Sequence, residues 1–347
     1  MLFETPLTQG TLVMAHEISV IEENGVEIVE AAYANTPAWH NLGNVFNAGG
    51  TEAPDSETMM ELAHQNWLCE KEQMNLVQDG KPVGGGYFAT VRQDTREVLG
   101  IVGKNYKVLQ NKDAFKFMDS FMQDGIMRYE SAMALFGGRQ VVLLARMPSV
   151  DEIIPGDRQE RYLLLSNTHD GTGSIIMQPT HVRVVCNNTH RIAIANETYQ
   201  VKVRHSSSME EKMEMARKYL SQFDKKFSEY TETAKHLAKV SYTDDMVSDY
   251  LNQLFPAKAD ASERQVKNRL DKLMMVKGMM NTPGNTLPGM EGTMWQLFNA
   301  VTEAVDHRSS YKGDDLSRAE NRFTNIMEGA GAALKDKAFE LALQMAV

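Results

Sequence analysis

The spacing of hydrophobic and polar positions changes once along this chain, near residue 208. Before that point, apolar and polar residues alternate in short runs separated by turn residues, which is typical of half-buried strands. After it, apolar residues such as Met213, Ala216, Leu220 and Phe227 recur at three- and four-residue spacing, which is typical of amphipathic helices. The pattern therefore predicts a β-rich part followed by a helical part.

The alternating runs and the turn residues between them place the predicted strands. We expect strands at residues 68–78, 87–92, 98–102, 127–135, 139–147, 161–167, 174–178, 181–186 and 198–205. Asp79-Gly80 and Gly137-Gly138 are hairpin signals, and the three glycines at 84–86 predict a break in the chain.

Cap residues place the helices. Ser56 is expected to cap a helix that ends at Trp67, and Asn111 a helix that Gly125 ends. Further helices are expected at residues 209–238, 244–254, 261–279, 293–306 and 317–345. The predicted fold class is α+β: an antiparallel or mixed β-sheet body with helices, followed by an all-helical C-terminal region. We divide the chain into an acidic N-terminal arm (1–55), an α+β core domain (56–208) and a helical region (209–347).

The charge of the chain is unevenly distributed. Residues 1–80 hold 13 acidic residues and a single basic one, Lys71, whereas residues 81–208 hold 16 basic and 12 acidic residues, within a chain of net charge −10. A global negative charge disfavours tight binding to duplex DNA, but a basic groove can still bind a single strand. We expect no membrane span and no signal peptide, since no run approaches 18 apolar residues and the N-terminus lacks a basic region and a long apolar core. We expect a cytoplasmic protein, since the two cysteines fit a reducing compartment.

A dense set of polar residues near Cys186 raises the question of catalysis or metal binding. Strand alternation puts His181 and Arg183 on one face and Cys186 on the other, among apolar neighbours, so we expect a buried, unreactive thiol. His169, Asp170, His181, Cys186 and His190 match no zinc-ligand spacing that we recognise. We therefore predict no catalytic residue, no metal and no cofactor.

The polar turn from Ser166 to Gly173 has two interpretations. It is a hairpin loop stabilised by Asn and Asp side chains, or it is a nest of backbone amides for a phosphate with His169 alongside. The glycines at 84–86 lack the lysine and hydroxyl of a phosphate-binding loop.

Basic residues interleave with aromatic ones from Tyr87 onwards, and this pattern suits single-stranded nucleic acid, whose bases stack while its phosphates pair with cations. The alternative is ordinary exposed strand edges. The candidate nucleic-acid-binding residues are Tyr87, Arg92, Lys104, Tyr106, Lys107, His169, His181, Arg183, Asn187, Asn188, Arg191, Lys202 and Arg204.

Several segments, in order, carry a resemblance to a known family. They are Trp39–Gly43, the helix ending at Trp67, residues 89–111, 165–173, 179–189, 203–208 and 292–307. Together they resemble the phage- and plasmid-borne proteins grouped as domain of unknown function family 932, over roughly residues 14–345, whereas residues 1–13 depart from the family pattern. The resemblance implies a mobile element in a bacterial cytoplasm, but it implies little about activity, since the family has no established catalytic residue to carry over to this chain.

Three hypotheses follow. The first is a non-enzymatic accessory protein of a phage or plasmid that binds or anneals single-stranded DNA in recombination or replication, working as a homo-oligomer. It draws on a fold-level analogy with single-strand annealing proteins. The second is a hydrolase or nuclease that uses His169, Asp170, His181 and His190, with or without a metal. The third is a self-assembling or host-interaction protein without a nucleic-acid site, in which the acidic arm sets the assembly.

Overall fold

The structure of the protein is a computed structural model. It describes residues 19–23, 26–35, 43–47, 52–122, 127–183, 188–191, 193–194, 197–220, 223–309, 321–322 and 324–347.

Fifteen strands lie within the described ranges. In chain order they are β1 (Val20–Glu23), β2 (Val26–Val29), β3 (Ala31–Tyr33), β4 (Asn44–Val45), β5 (Cys69–Gln78), β6 (Lys81–Arg92), β7 (Val98–Gly103), β8 (Arg128–Leu135), β9 (Gln140–Glu152), β10 (Arg158–Thr168), β11 (Ile175–Arg183), β12 (Asn188–Arg191), β13 (Ala193–Ile194), β14 (Glu197–Thr198) and β15 (Val201–Val203).

The main helices of the described residues complete the secondary structure. They are α1 (Ser56–Leu62), α2 (Asn111–Met122), α3 (Met209–Leu220), α4 (Phe223–Leu237), α5 (Asp244–Leu254), α6 (Glu263–Met279), α7 (Met294–Arg308) and α8 (Ala330–Met345). The fold class is therefore α+β, with helices in the C-terminal region, as the sequence pattern predicts.

An eight-stranded sheet forms the centre of the fold, in the order β12-β11-β10-β9-β8-β3-β4, with β15 also paired to β11. Strands β8 to β11 follow one another as antiparallel hairpins, and the β3–β4 pair is parallel. Alternation gives the sheet two apolar faces. Leu143 and Leu163 face the main core, whereas Val142 and Leu164 pack with Met327 on the other side.

A second, three-stranded sheet consists of β5, β6 and β7. Asp79 and Gly80 both have positive φ, so the predicted β5–β6 hairpin is confirmed. The predicted break at glycines 84–86 is wrong, because β6 continues through them to Arg92. The glycines instead accommodate an irregularity: the β5–β6 register shifts between Gln73 and Asn75, and Gly86 has φ +63°.

One buried cluster joins the sheets to the C-terminal helices, and it runs from Ala32 in β3 to Ala346 after α8. Tyr230 of α4 stacks on His181 of β11. The Trp295 indole of α7 donates to Oδ2 of Asp157, the residue before β10, at 2.7 Å.

The domain boundary predicted at residue 208 stays a prediction. Among the described residues, no helix combines the length and the apolar character that crossing a bilayer requires.

Several local predictions differ from the structure. Asp55, not Ser56, caps α1, since its carboxylate accepts from the Thr58 amide at 2.8 Å, and the helix ends at Leu62. The strands predicted at 174–178 and 181–186 form one strand, β11. The predicted helix over 209–238 is described as α3 and α4, on either side of residues 221–222. The end of α2 near Gly125 lies outside the described residues.

The N-terminal arm is not made of loops alone. Strands β1 and β2 form a hairpin, and β3 is inserted in the large sheet between β8 and β4. Ala31 and Ala32 of β3 are fully buried. The acidic arm therefore contributes to the body of the protein through these residues.

Candidate nucleic-acid interface

The turn that follows β7 is held against the end of β15. The Lys107 amide donates to the His205 carbonyl at 3.2 Å, and His205 Nδ1 lies 2.9 Å from the Lys107 carbonyl. Since a carbonyl only accepts, His205 carries its proton on Nδ1 here. The Tyr106 ring stacks on the His205 ring at 4.6 Å and 20°, and burial lowers the pKa of His205. Residues 103–107 are thereby fixed to the Arg204–His205 segment.

Lys71 of β5 fixes the same turn from the other side. Its Nζ donates to the carbonyls of Lys104 and Tyr106 at 2.7 and 3.0 Å, and it lies 4.4 Å from the centre of the Phe88 ring. Burial lowers the pKa of Lys71, and the charge of Lys107 lowers it further. Lys71 therefore lies close enough to Lys107 for the two charges to interact. A further contact of the turn is made by the Tyr106 hydroxyl, which donates to the Thr168 carbonyl at 2.8 Å.

We call Lys71, Lys104, Lys107 and Arg204 the basic turn cluster. Lys104, Lys107 and Arg204 are exposed. Within the part of the chain that the structure describes, none of these three side chains forms an ion pair with a carboxylate. Two cations on this turn and one on the segment fixed to it have no acidic partner among the described residues, so their charge is available to an anion in solution.

An exposed aromatic residue lies on the strand that neighbours β7, near the start of this turn. Tyr87 of β6 is directly opposite Gly103 of β7, one residue before Lys104, and is 53% exposed. Lys202, also exposed, lies on β15 between Val201 and Val203, so its side chain points to the opposite face of the strand from theirs. Of the predicted residues, the structure thus brings together Lys104, Tyr106, Lys107 and Arg204, and it places Tyr87 on the neighbouring strand.

A family comparison covers most of this region. The sequence model of the family described as "Domain of unknown function (DUF932)" matches residues 98–327. The chain belongs to the DUF932 family. The matched segment includes Lys104, Lys107 and Arg204 and begins after Tyr87. No curated protein and no solved structure matches the chain.

Arg92 of this DUF932 protein is not available to a phosphate, so its predicted role needs correction. The guanidinium is fully buried and donates to both oxygens of Glu30 at 2.8 and 2.7 Å. It also pairs with Asp94 and lies over the Trp67 ring at 4.3 Å. Burial raises the pKa of Glu30, although Arg92 opposes the shift. Arg92 is a structural cation, which its position at the end of an alternating strand did not reveal.

His169 is also enclosed, so the structure does not place it on a binding surface. It is fully buried, with Nε2 3.0 Å from Asn111 Oδ1 and its ring 5.3 Å from the Trp67 ring. Burial lowers its pKa to about 3, helped by the charges of His205 and Arg92, so the ring is neutral near pH 7.

The adjoining loop is stabilised by its own residues. Asp170 Oδ1 accepts from the Thr172 amide at 2.8 Å and from the Thr172 hydroxyl at 2.7 Å. This is an Asx-type turn, and it occupies the Thr172 amide that the phosphate-nest interpretation needed. The geometry favours the hairpin-loop interpretation of residues 166–173.

His181 faces the helices and not the solvent. Its Nε2 lies 3.1 Å from Asp151 Oδ2, and Arg161 donates to both Asp151 oxygens at 2.6 Å. The ring stacks on Tyr230 at 4.5 Å and is buried, which lowers its pKa. Although burial opposes ionisation, the hydrogen bonds from His181 and Arg161 hold the pKa of Asp151 well below its usual value. His181 is therefore enclosed between β11 and the helices, and the structure does not place it on a surface that an anion in solution reaches.

The remaining predicted residues are only partly described. Asn187 and Cys186 lie outside the described residues. The backbones of Asn188 and Arg191 pair with Arg183 and Thr180 in the β11–β12 ladder, and the structure describes no side chain for Arg183, Asn188 or Arg191. Their predicted roles stay predictions.

Two findings were missed from the sequence. Lys71 is part of the basic turn cluster, yet its neighbours Glu70 and Glu72 made it look like part of an acidic stretch. The Asp151–Arg161 pair was also unrecognised, because its members lie on separate strands, β9 and β10. In the described part of the DUF932 chain, no group of three or more His, Cys, Asp or Glu side chains could hold a metal ion.

Proposed function

We propose that this protein binds single-stranded nucleic acid through the basic turn cluster and Tyr87, without catalysing a reaction. The observation that carries the proposal is the set of three exposed cations, Lys104, Lys107 and Arg204, which have no acidic partner among the described residues. Cations of this kind release counterions when they contact phosphates, which is the main source of affinity for nucleic acid.

Rigidity of the turn supports this proposal. Lys71, Tyr106 and His205 each fix the turn through hydrogen bonds or ring stacking. A phosphate that binds there does not have to order a loop first, so less of the binding free energy is lost to ordering. The exposed ring of Tyr87, on the strand that neighbours β7, offers a surface on which a base of the same strand of nucleic acid can stack. A single strand presents both groups, whereas the bases of a duplex are already stacked.

The burial of the two central histidines is consistent with a non-enzymatic role. His169 and His181 are both enclosed and have lowered pKa values. Neither ring is open to a dissolved substrate, which a general base would have to reach. The proposed setting, recombination or replication of a phage or plasmid, rests on the family resemblance alone.

Fluorescence anisotropy with a labelled oligonucleotide, at low and moderate salt, tests the proposal. The variant K104Q/K107Q/R204Q removes three charges from the cluster. The matched control K239Q/K258Q/R264Q removes three exposed charges from the helical region. We expect micromolar or tighter binding that weakens with salt, and a loss of about tenfold or more in the cluster variant only.

Two results would overturn the proposal. One is the absence of binding at micromolar protein in low salt, and the other is an equal loss of affinity in the cluster variant and in the control. A duplex of the same sequence serves as the comparison for strand selectivity. Mixing complementary strands with the protein then shows whether binding extends to annealing.

A further inference from the structure

Helix α6 exposes an apolar stripe that the described part of the chain leaves uncovered. Val266, Leu270 and Met274 are spaced four residues apart and are 46%, 48% and 71% exposed. Single exposed apolar residues are common on protein surfaces, but three of them at i, i+4 and i+8 of one helix form a continuous apolar surface. Val276 is the helix's buried residue, so most of its surface is open.

The stripe lies to one side of the face that packs on the protein. Arg269 anchors that packed face, since its Nε donates to the Phe255 carbonyl at 2.7 Å. At about 100° per residue, Leu270 lies roughly a quarter turn from Arg269 around the helix axis. Glu263 and Lys277 fall within the same arc of roughly 80° as the three apolar residues. We call these five residues, Glu263, Val266, Leu270, Met274 and Lys277, the α6 stripe.

The α6 stripe is complementary to itself in one direction only. If a second copy of α6 lies antiparallel with Leu270 at the two-fold axis, Val266 of one copy faces Met274 of the other. Glu263 then faces Lys277, and this contact occurs twice. In a parallel arrangement Glu263 would face Glu263 and Lys277 would face Lys277, and both contacts are repulsive. The described residues supply no ion-pair partner for either side chain within the chain.

We infer that the α6 stripe is a homodimer contact, formed by antiparallel packing of α6 against α6 of a second copy. A two-fold contact requires each patch to match itself, and the order acid, apolar, apolar, apolar, base meets that requirement. A single pair of helices is a small interface, below about 1,200 Å² in total, so the dimer is weak and concentration-dependent. The inference does not depend on nucleic-acid binding.

Sedimentation velocity of the full chain across the micromolar range tests the inference. We expect a monomer–dimer equilibrium, which L270E weakens by about tenfold or more because it buries a charge at the centre of the contact. The control M215E places the same charge on another exposed methionine, on α3, and should leave the equilibrium unchanged. A monomer at every concentration, or an equal effect of the two variants, overturns the inference.

Charge reversal and cross-linking distinguish the antiparallel contact from other uses of the stripe. E263K and K277E should each weaken the dimer, and E263K/K277E should restore it, because the two contacts exchange their charges. Under oxidation, L270C should give a disulfide-linked dimer, since two-fold related residues at the centre of a helix pair lie within disulfide reach. N268C, on the far side of α6, should not. The antiparallel contact is contradicted if the dimer of E263K/K277E is as weak as the dimers of the single variants. It is also contradicted if L270C and N268C cross-link equally.

Discussion

Arg92 and Glu30, 62 residues apart in sequence, form a two-bond ion pair in which both side chains are fully buried, with N–O distances of 2.7 and 2.8 Å. The pair links the N-terminal segment before β3 to the end of β6. Two buried charges are tolerated together because each satisfies the other, and removing one leaves an uncompensated charge in the core.

Breaking this pair should destabilise the fold strongly. We expect E30Q to lower the free energy of unfolding by about 3–5 kcal/mol, measured by urea denaturation. The control E72Q removes the same charge from Glu72, the exposed partner of Arg96, and should change stability very little. A similar small effect of both variants would show that the buried pair contributes little to stability.

The buried His169 should make the fold sensitive to acid. Its pKa is about 3 in the native state, against an ordinary value of 6.5, so the unfolded chain binds more protons between these values. The contribution of neutral His169 to the free energy of unfolding should therefore be fully present above pH 6.5. It should decrease as the pH falls, by at most about 1.4 kcal/mol per pH unit. His181 and His205, whose pKa values are also lowered, act in the same direction.

Urea denaturation at several pH values between 6.5 and 5 measures this dependence. H169Q should be less stable at neutral pH but should lose stability less steeply as the pH falls. H236Q, a substitution on α4, is the control and should keep the original slope. An unchanged slope in H169Q would contradict the assignment of His169 as a neutral buried ring.

Gly100 should not tolerate a side chain, because β7 passes directly under the loop at Asp170. A Cβ at this position would lie 2.2 Å from the Asp170 carbonyl oxygen, so the backbone would have to shift. We expect G100A to cost about 1–3 kcal/mol of unfolding free energy. A Cβ at Gly103 of the same strand meets nothing within 4 Å, and G103A should change stability by less than about 0.5 kcal/mol. Equal thermal stability of the two variants would contradict this contact.

Tyr87 should contribute to binding through its ring and not through its hydroxyl. If the proposed function is correct, Y87A should weaken binding of a labelled oligonucleotide by about 1–3 kcal/mol, whereas Y87F should retain most of the affinity. Y219A, which removes another half-exposed tyrosine on α3, is the control. Retention of full affinity by Y87A would remove the stacking role while leaving the role of the cations to be judged by their own variants.

The sequence by itself determined the fold class and most of the elements, because apolar periodicity reports local geometry. The near-continuous apolar run within 139–147 predicted β9, and the i, i+3, i+4 spacing after residue 208 predicted the helices. The same local signal failed at glycines 84–86, where pairing with β5 on both sides of Gly85 and Gly86 continues the strand despite three residues of low strand propensity.

The tertiary structure alone decided which polar residues are exposed. Arg92, His169 and Lys107 look equally exposed in an alternating sequence, yet only Lys107 is exposed. The difference arises because the hydrogen-bond partners of the two buried residues come from distant parts of the chain. Arg92 pairs with Glu30, and His169 pairs with Asn111. A buried polar group is stable only when such partners reach it, and which partners reach it depends on the packing of the whole fold.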